Sequence, residues 1–213
     1  MISGFSFTNG REDRWNWKLC RSGSFSTQAL SNLLMDSGQA ANGSTLATLR
    51  NKLVPKKVSI FVWRVRRERI PVLSQLDKRG IDLHSVRCPL CGDVVETVEH
   101  ALFLCPKVWV IWVKVFTWWG MGSLPRSLDS LLDESSYSQF SDMGAKIWQG
   151  VIWTCVYLIW KNRNQMVFSK KCWTPPVALC DIQLKSFEWI GNRCKVKKLE
   201  WLDWLCNPQV LLL

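Results

Sequence analysis

Cys88-Pro89-Leu90-Cys91-Gly92, followed by His100 and by Cys105-Pro106, is the stretch whose reading decides this chain. The spacing is C-x2-C-x8-H-x4-C. Three thiolates and one imidazole within a short span match a structural zinc ion in ligand number and softness. Pro89 stiffens the turn between the first two cysteines. Gly92 supplies a left-handed backbone position, so both thiolates can face one ion. Residues 96–103 read as a helix that carries His100, with Cys105 just beyond it. Four protein ligands complete a tetrahedron and leave no position for water, which points to a fold-holding site rather than a catalytic one. His84 is the alternative imidazole, better placed at the surface or behind a ligand.

Around this centre, composition sets the limits. The chain has 213 residues, 47% of them hydrophobic, which is enough for a substantial core. Fourteen Trp against two Tyr is an unusual surplus, and Trp is seldom fully buried, so some rings are expected at interfaces. A net charge of +11 and a pI near 9.4 suggest an anionic partner, with RNA or single-stranded DNA first. Nine cysteines could suggest a disulfide scaffold. The odd number, the chain length and the metal-like cluster oppose that, and Cys20, Cys155, Cys172, Cys180, Cys194 and Cys206 are expected reduced. The first residues lack a secretory pattern, so an intracellular protein is expected, with nucleus and cytoplasm both open. The apolar runs 108–119 and 147–160 are too short to span a bilayer and read as buried amphipathic helices; no membrane partner is expected.

Outward from the cysteines, the pattern predicts a mostly α fold with a short N-terminal β-hairpin. Residues 1–12 read as disordered. Trp15, Trp17 and Leu19 alternate before the Ser22-Gly23 turn, and Ser24-Phe25-Ser26 returns. After Pro55, Val58, Phe61, Val62 and Val65 form a helical apolar stripe. Lys56, Lys57, Arg64, Arg66, Arg67 and Arg69 surround it and are the candidate nucleic-acid contacts, with Trp63 among them either as a base-stacking surface or as core. A short helix over 73–79 ends at Gly80. Beyond Pro106 the expected stripe is Trp109, Trp112, Val113 and Phe116. A Ser/Asp/Gly-rich segment, 120–145, reads as a linker. Helices are then expected over 146–168 and 176–193, the second burying Val177, Cys180, Leu184 and Phe187.

A series of short motifs falls in order along the first half: Trp15-x-Trp17, Ser22-Gly23-Ser24-Phe25-Ser26, Val54-Pro55-Lys56-Lys57-Val58, Phe61-Val62-Trp63-Arg64, Ile70-Pro71, Arg79-Gly80-Ile81, the Cys88–Cys91 pair, Glu96-Thr97-Val98-Glu99-His100 and Leu104-Cys105-Pro106. Together they resemble the reverse-transcriptase zinc-binding domain found downstream of the polymerase in plant non-LTR (LINE-type) retrotransposons. The resemblance covers about residues 13–119. Ile159-Trp160-Lys161-Asn162-Arg163-Asn164, with Val167-Phe168, looks like the region joining that domain to a ribonuclease H domain, so 146–213 is expected to be such a helical connection. The resemblance implies Cys88, Cys91, His100 and Cys105 as ligands of one structural Zn2+ per chain. It also implies reverse transcriptase or ribonuclease H domains of related elements as partners. Leu49 and Val72 depart from the usual family residues (Trp and Thr), in packing and capping positions away from the metal.

Other chemistry has no foothold. The Tyr-x-Asp-Asp stretch of a polymerase is absent. Asp181, Glu188, Glu200 and Asp203 are the only acids beyond residue 150, on helical segments where a two-metal nuclease site is not expected. No H-E-x-x-H, Gly-x-Ser-x-Gly or Walker loop occurs. The reading is a zinc-stabilised, non-catalytic retrotransposon-derived module that binds RNA or single-stranded DNA. Its alternatives are a spacer or protein-interaction module, and a fragment with no selected function.

Overall fold

The computed structural model describes residues 17, 23, 24, 26, 51–170, 173–195 and 198–212. The chain divides into a unit of residues 1–48 and a compact unit of residues 49–213. The expected disordered terminus and β-hairpin lie outside the described residues, apart from Trp17, whose N–H donates to the Gly23 carbonyl at 2.8 Å, Ser24 and Ser26. The rest is helical: α1 (Lys56–Arg66), α2 (Leu73–Asp77), a π turn (His100–Leu104), α3 (Pro106–Trp118), α4 (Leu128–Leu132), a 3-10 turn (Glu134–Tyr137), α5 (Asp142–Ser169), α6 (Pro175–Gly191), α7 (Trp201–Cys206) and a 3-10 turn (Pro208–Leu212). Among the described residues the only β pairing is an isolated antiparallel bridge between Arg87 and Val95.

Helix α5 is the axis. Ile147 through Val156 is buried without interruption, so this segment is apolar all round rather than amphipathic as expected. A helix of that kind must be enclosed by others, and α1, α4, α6, the π turn and the C-terminal 3-10 turn all pack on it. Its polar side chains are satisfied locally: the Thr154 hydroxyl donates to the Gly150 carbonyl at 2.7 Å. Asn51 fastens the approach to α1 by donating to the Lys146 carbonyl and to Gln149 Oε1 at 2.7 and 2.8 Å.

Some apolar phases match the sequence reading and some are rotated. In α1 the buried set is Val58, Phe61, Val62 and Val65, as expected. In α3 it is Val108, Ile111, Trp112, Val115 and Phe116, with Trp109 and Val113 turned outward. Helix α6 buries Ala178, Ile182, Ser186 and Ile190 instead of the expected set: Val177, Cys180 and Leu184 are exposed and Phe187 is half-buried. Small residues let it lie close to α5, and the Ser186 hydroxyl is satisfied by the Ile182 carbonyl at 2.6 Å.

Part of the Trp surplus lies inside. Trp112, Trp119, Trp148, Trp153 and Trp204 are fully buried. Trp119 meets Trp148 and Trp204 at centroid distances of 5.1 and 5.4 Å, joining α3, α5 and α7 through aromatic edges and faces. The 120–145 segment, read as a linker, carries α4 and a 3-10 turn with Leu128, Leu131, Leu132 and Tyr137 buried. Its serines and aspartates act as caps: Ser127 accepts from the Ser130 N–H and Asp133 from the Ser135 N–H, both at 3.1 Å.

Candidate metal centre

The Cys88 and Cys91 thiols are set by a tight turn. Cys88 N–H donates to the Val94 carbonyl at 2.7 Å, and Gly92 N–H to the Cys88 carbonyl at 2.8 Å. Gly92 adopts φ +81°, the left-handed conformation that the turn demands and that glycine holds without strain. The turn closes through the Arg87–Val95 bridge, and the Glu96 N–H returns to the Val86 carbonyl at 2.9 Å.

His100 and Cys105 come from the opposite side, on the π turn. Along an α-helix, residues five apart would sit about 140° round the axis from each other. The wider turn reduces that angle, and the Cys105 N–H bonds back to the His100 carbonyl at 2.9 Å. The Thr97 hydroxyl accepts from the His100 N–H at 3.1 Å, fixing where the turn begins. Cys105 then takes extended dihedrals, as a residue before proline should, and Pro106 starts α3. The expected helix over 96–103 is thus shorter and wider than the sequence pattern suggested.

The four side chains converge. Their ligand atoms all lie within 4.8 Å of one another. Cys88 Sγ and Cys105 Sγ are 3.9 Å apart, and Cys91 Sγ and His100 Nε2 are 3.3 Å apart. Tetrahedral zinc at ordinary bond lengths requires about 3.7 Å between sulfurs and about 3.5 Å between sulfur and nitrogen. The cluster suits a metal ion. His84 is exposed and stands outside it.

The surroundings favour thiolate at Cys105 and the neutral thiol at Cys88. Cys88 and Cys105 share a proton across their hydrogen bond: Cys88 is pushed up by that bond and by burial, against the pull of the Cys91 and Leu90 N–H groups. Cys105 is held below the ordinary thiol value by the same bond, helped by the Lys107 and Val108 N–H groups in the first turn of α3. A cation between the sulfurs would replace the shared proton and relieve the repulsion of two thiolates.

Behind the metal cluster lies a contact that the sequence did not reveal. Glu96, fully buried, receives Arg163 of α5. Arg163 Nε donates to Oε1 at 2.7 Å, while Nη2 and the Leu73 N–H (2.8 Å) both reach Oε2. The segment resembling a connection to another domain is therefore tied into the cysteine-bearing half.

The six basic candidates separate. Lys56, Lys57, Arg64, Arg67 and Arg69 are exposed. Arg66 is half-buried and donates to the Leu132 carbonyl at the end of α4. Arg64 bonds the Arg69 carbonyl at 3.2 Å, closing the end of α1. Arg67 lies 5.0 Å over the ring of Trp63, which is half-buried rather than core, and Lys57 sits 5.8 Å over both Tyr157 and Trp189. The acids Asp181, Glu188, Glu200 and Asp203 are exposed; Glu188 pairs with Lys185 at 2.7 Å and Glu200 with Lys198 at 3.1 Å. Cys155, Cys180, Cys194 and Cys206 are free thiols. No helix among the described residues is long and apolar enough to cross a membrane.

Comparison with known proteins agrees with this centre. Residues 25–112 match the family described as zinc-binding in reverse transcriptase. An Arabidopsis thaliana protein named as a "putative ribonuclease H protein" is 27% identical over 176 residues, covering 76% of this chain. The chain spans 28% of the length of that relative. No solved structure matches. Residues 25–112, which contain all four converging side chains, are thus similar to a zinc-binding domain of the reverse-transcriptase type.

Proposed function

We propose that this chain is a non-catalytic module, held together by one structural zinc on Cys88, Cys91, His100 and Cys105, that binds RNA or single-stranded DNA. The observation that carries the zinc reading is the closed donor set: four side chains within 4.8 Å account for every position of a tetrahedral ion. A water-activating zinc needs an open position, which this set does not offer. Metal analysis of protein purified without added zinc should return one equivalent. A folded, metal-free chain would sink the assignment.

The nucleic-acid reading rests on the net charge of +11 and on the exposed cations of and beside α1. Phosphate neutralisation releases counterions, so affinity should fall with salt. Four contacts on a single strand would give a log–log slope of about −3. Replacing Arg67 and Arg69 together by Ala should weaken binding and flatten that slope without releasing zinc. Arg66 is the wrong target because it holds the Leu132 carbonyl. Equal binding by the double variant and the parent would move the reading to an interaction module. That second reading is favoured by the groove beside exposed Leu184, where Phe187 and Leu199 also lie.

A further inference from the structure

Between the cysteine turn and the ends of α3, α5 and α6 lies a cavity of about 270 Å3. Leu90 of the turn contributes to one side, and Ile159 and Met166 of α5 to another. Its volume is just under the range of about 300–1,000 Å3 that accommodates a drug-sized molecule. It is therefore scaled to one flat ring system rather than to a whole nucleotide.

Two polar groups in its wall are incompletely used. Asn162 is only 9% exposed, and its Nδ2 donates to the Leu158 carbonyl at 2.9 Å. That carbonyl can only accept, so the amide nitrogen must face it and Oδ1 is left as an acceptor with no partner among the described residues. The Trp173 indole N–H is buried and likewise has no partner among the described residues. Leaving the buried indole N–H unmade is costly, and a ligand that supplies its acceptor recovers that cost, while Asn162 Oδ1 is open to a donor. The remaining wall is mostly apolar; its other polar residues are Thr174, Lys107 and Arg163, whose charge is taken by Glu96. Lys107 is exposed.

We infer that this cavity takes one unstacked base of a single-stranded nucleic acid. The occupant must be flat and largely apolar on its faces, uncharged, and carry a donor for Asn162 Oδ1 and an acceptor for the Trp173 N–H. A nucleobase edge offers that pair, its faces pack on Met166, Ile159 and the indole, and the adjoining phosphate is left for Lys107. The inference rests on the nucleic-acid reading above and adds a base-dependent contribution to one otherwise set by charge.

The experiment compares the full zinc-loaded chain binding fluorescent octamers of equal charge: oligo-U, oligo-A and an abasic strand, at one salt concentration. A base in the cavity should make at least one natural octamer bind about tenfold tighter than the abasic strand. Asn162→Leu should remove that advantage while leaving abasic binding and zinc content unchanged. Trp173→Phe, which keeps an aromatic ring and deletes the N–H, should reduce it and also assigns the Trp173 indole resonance, which should shift with uridine or adenosine monophosphate. Natural and abasic strands binding equally would overturn the base site and leave the charge-driven reading standing. Absence of binding by every strand would overturn both. An indole resonance that moves with N-acetyl-leucine amide and not with nucleotides would assign the cavity to a peptide side chain and overturn the proposal.

Discussion

Glu96 and Arg163 lie 67 residues apart and form a bidentate ion pair from which solvent is excluded, Arg163 Nε reaching Glu96 Oε1 at 2.7 Å. The same carboxylate also holds the N-terminus of α2 through the Leu73 N–H. One acid thus joins the cysteine turn, a short helix and the central helix. Buried pairs are expensive to half-remove, since the remaining charge has no water to return to.

Arg163→Met should therefore destabilise the fold by about 3–5 kcal/mol in urea unfolding, by stranding the Glu96 charge. Glu96→Met with Arg163→Met should cost less than the single change. The remaining penalty is about 1–3 kcal/mol for the orphaned Leu73 N–H. A double variant worse than the single one would show that the pair itself is not the source of the cost.

Zinc removal should loosen one part of the molecule first. Stripping the metal with a chelator, or replacing Cys91 with Ser, should speed amide hydrogen exchange over 86–108 well before 147–160, whose core is closed by apolar contacts. Protons compete for the same thiolates, so acidification should release zinc. Uniform exchange along the chain after metal loss would contradict a local role.

Gly144 and Gly191 make a matched pair of tests. A Cβ on Gly144 would lie 2.5 Å from the Leu212 carbonyl oxygen and 2.6 Å from its Cα, both backbone atoms. Gly144→Ala should displace the C-terminal 3-10 turn, which Ser141 N–H also holds through the Leu212 carbonyl at 3.0 Å, and cost about 1–3 kcal/mol. Gly191 has nothing within 4 Å of its would-be Cβ. Gly191→Ala should be neutral or stabilise by up to about 1 kcal/mol. Thermal melts of the two variants moving in the same direction would refute this contrast.

Tyr137 donates its hydroxyl to the Leu131 carbonyl at 2.6 Å, and burial raises its pKa far above the ordinary value. The native state keeps this proton while the unfolded chain loses it near pH 10. Its contribution is whole below pH 10 and declines as pH rises above it. Tyr137→Phe should cost about 1–2 kcal/mol at neutral pH and flatten the alkaline loss of stability. An unchanged alkaline profile in the variant would place the titration elsewhere.

The convergence of Cys88, Cys91, His100 and Cys105 was legible in the sequence because metal-type spacing is local: softness, number and spacing are properties of residues 88–105. The α1 stripe was legible for a similar reason, since its period of apolar residues has one reading. The rotated faces of α3 and α6 were not, because a helix rich in apolar residues on several sides offers more than one stripe and the neighbour chooses. Ser186 is buried on α6 with Ile182 and Ile190 while Leu184 is exposed, and Ile190 closes on Gly150 of α5. The 120–145 segment has the composition of a linker, yet its serines and aspartates cap short helices whose leucines meet α5.

By itself the sequence determined the donor set, the helical class, the basic charge and the absence of familiar catalytic motifs. Tertiary structure alone decided that Glu96 meets Arg163, that Arg66 is spent on the Leu132 carbonyl, and that Asn162 and Trp173 share a cavity beside the cysteine turn. Local chemistry is written in neighbouring residues. Pairings across tens of residues depend on how helices pack, and packing is settled by all the side chains at once.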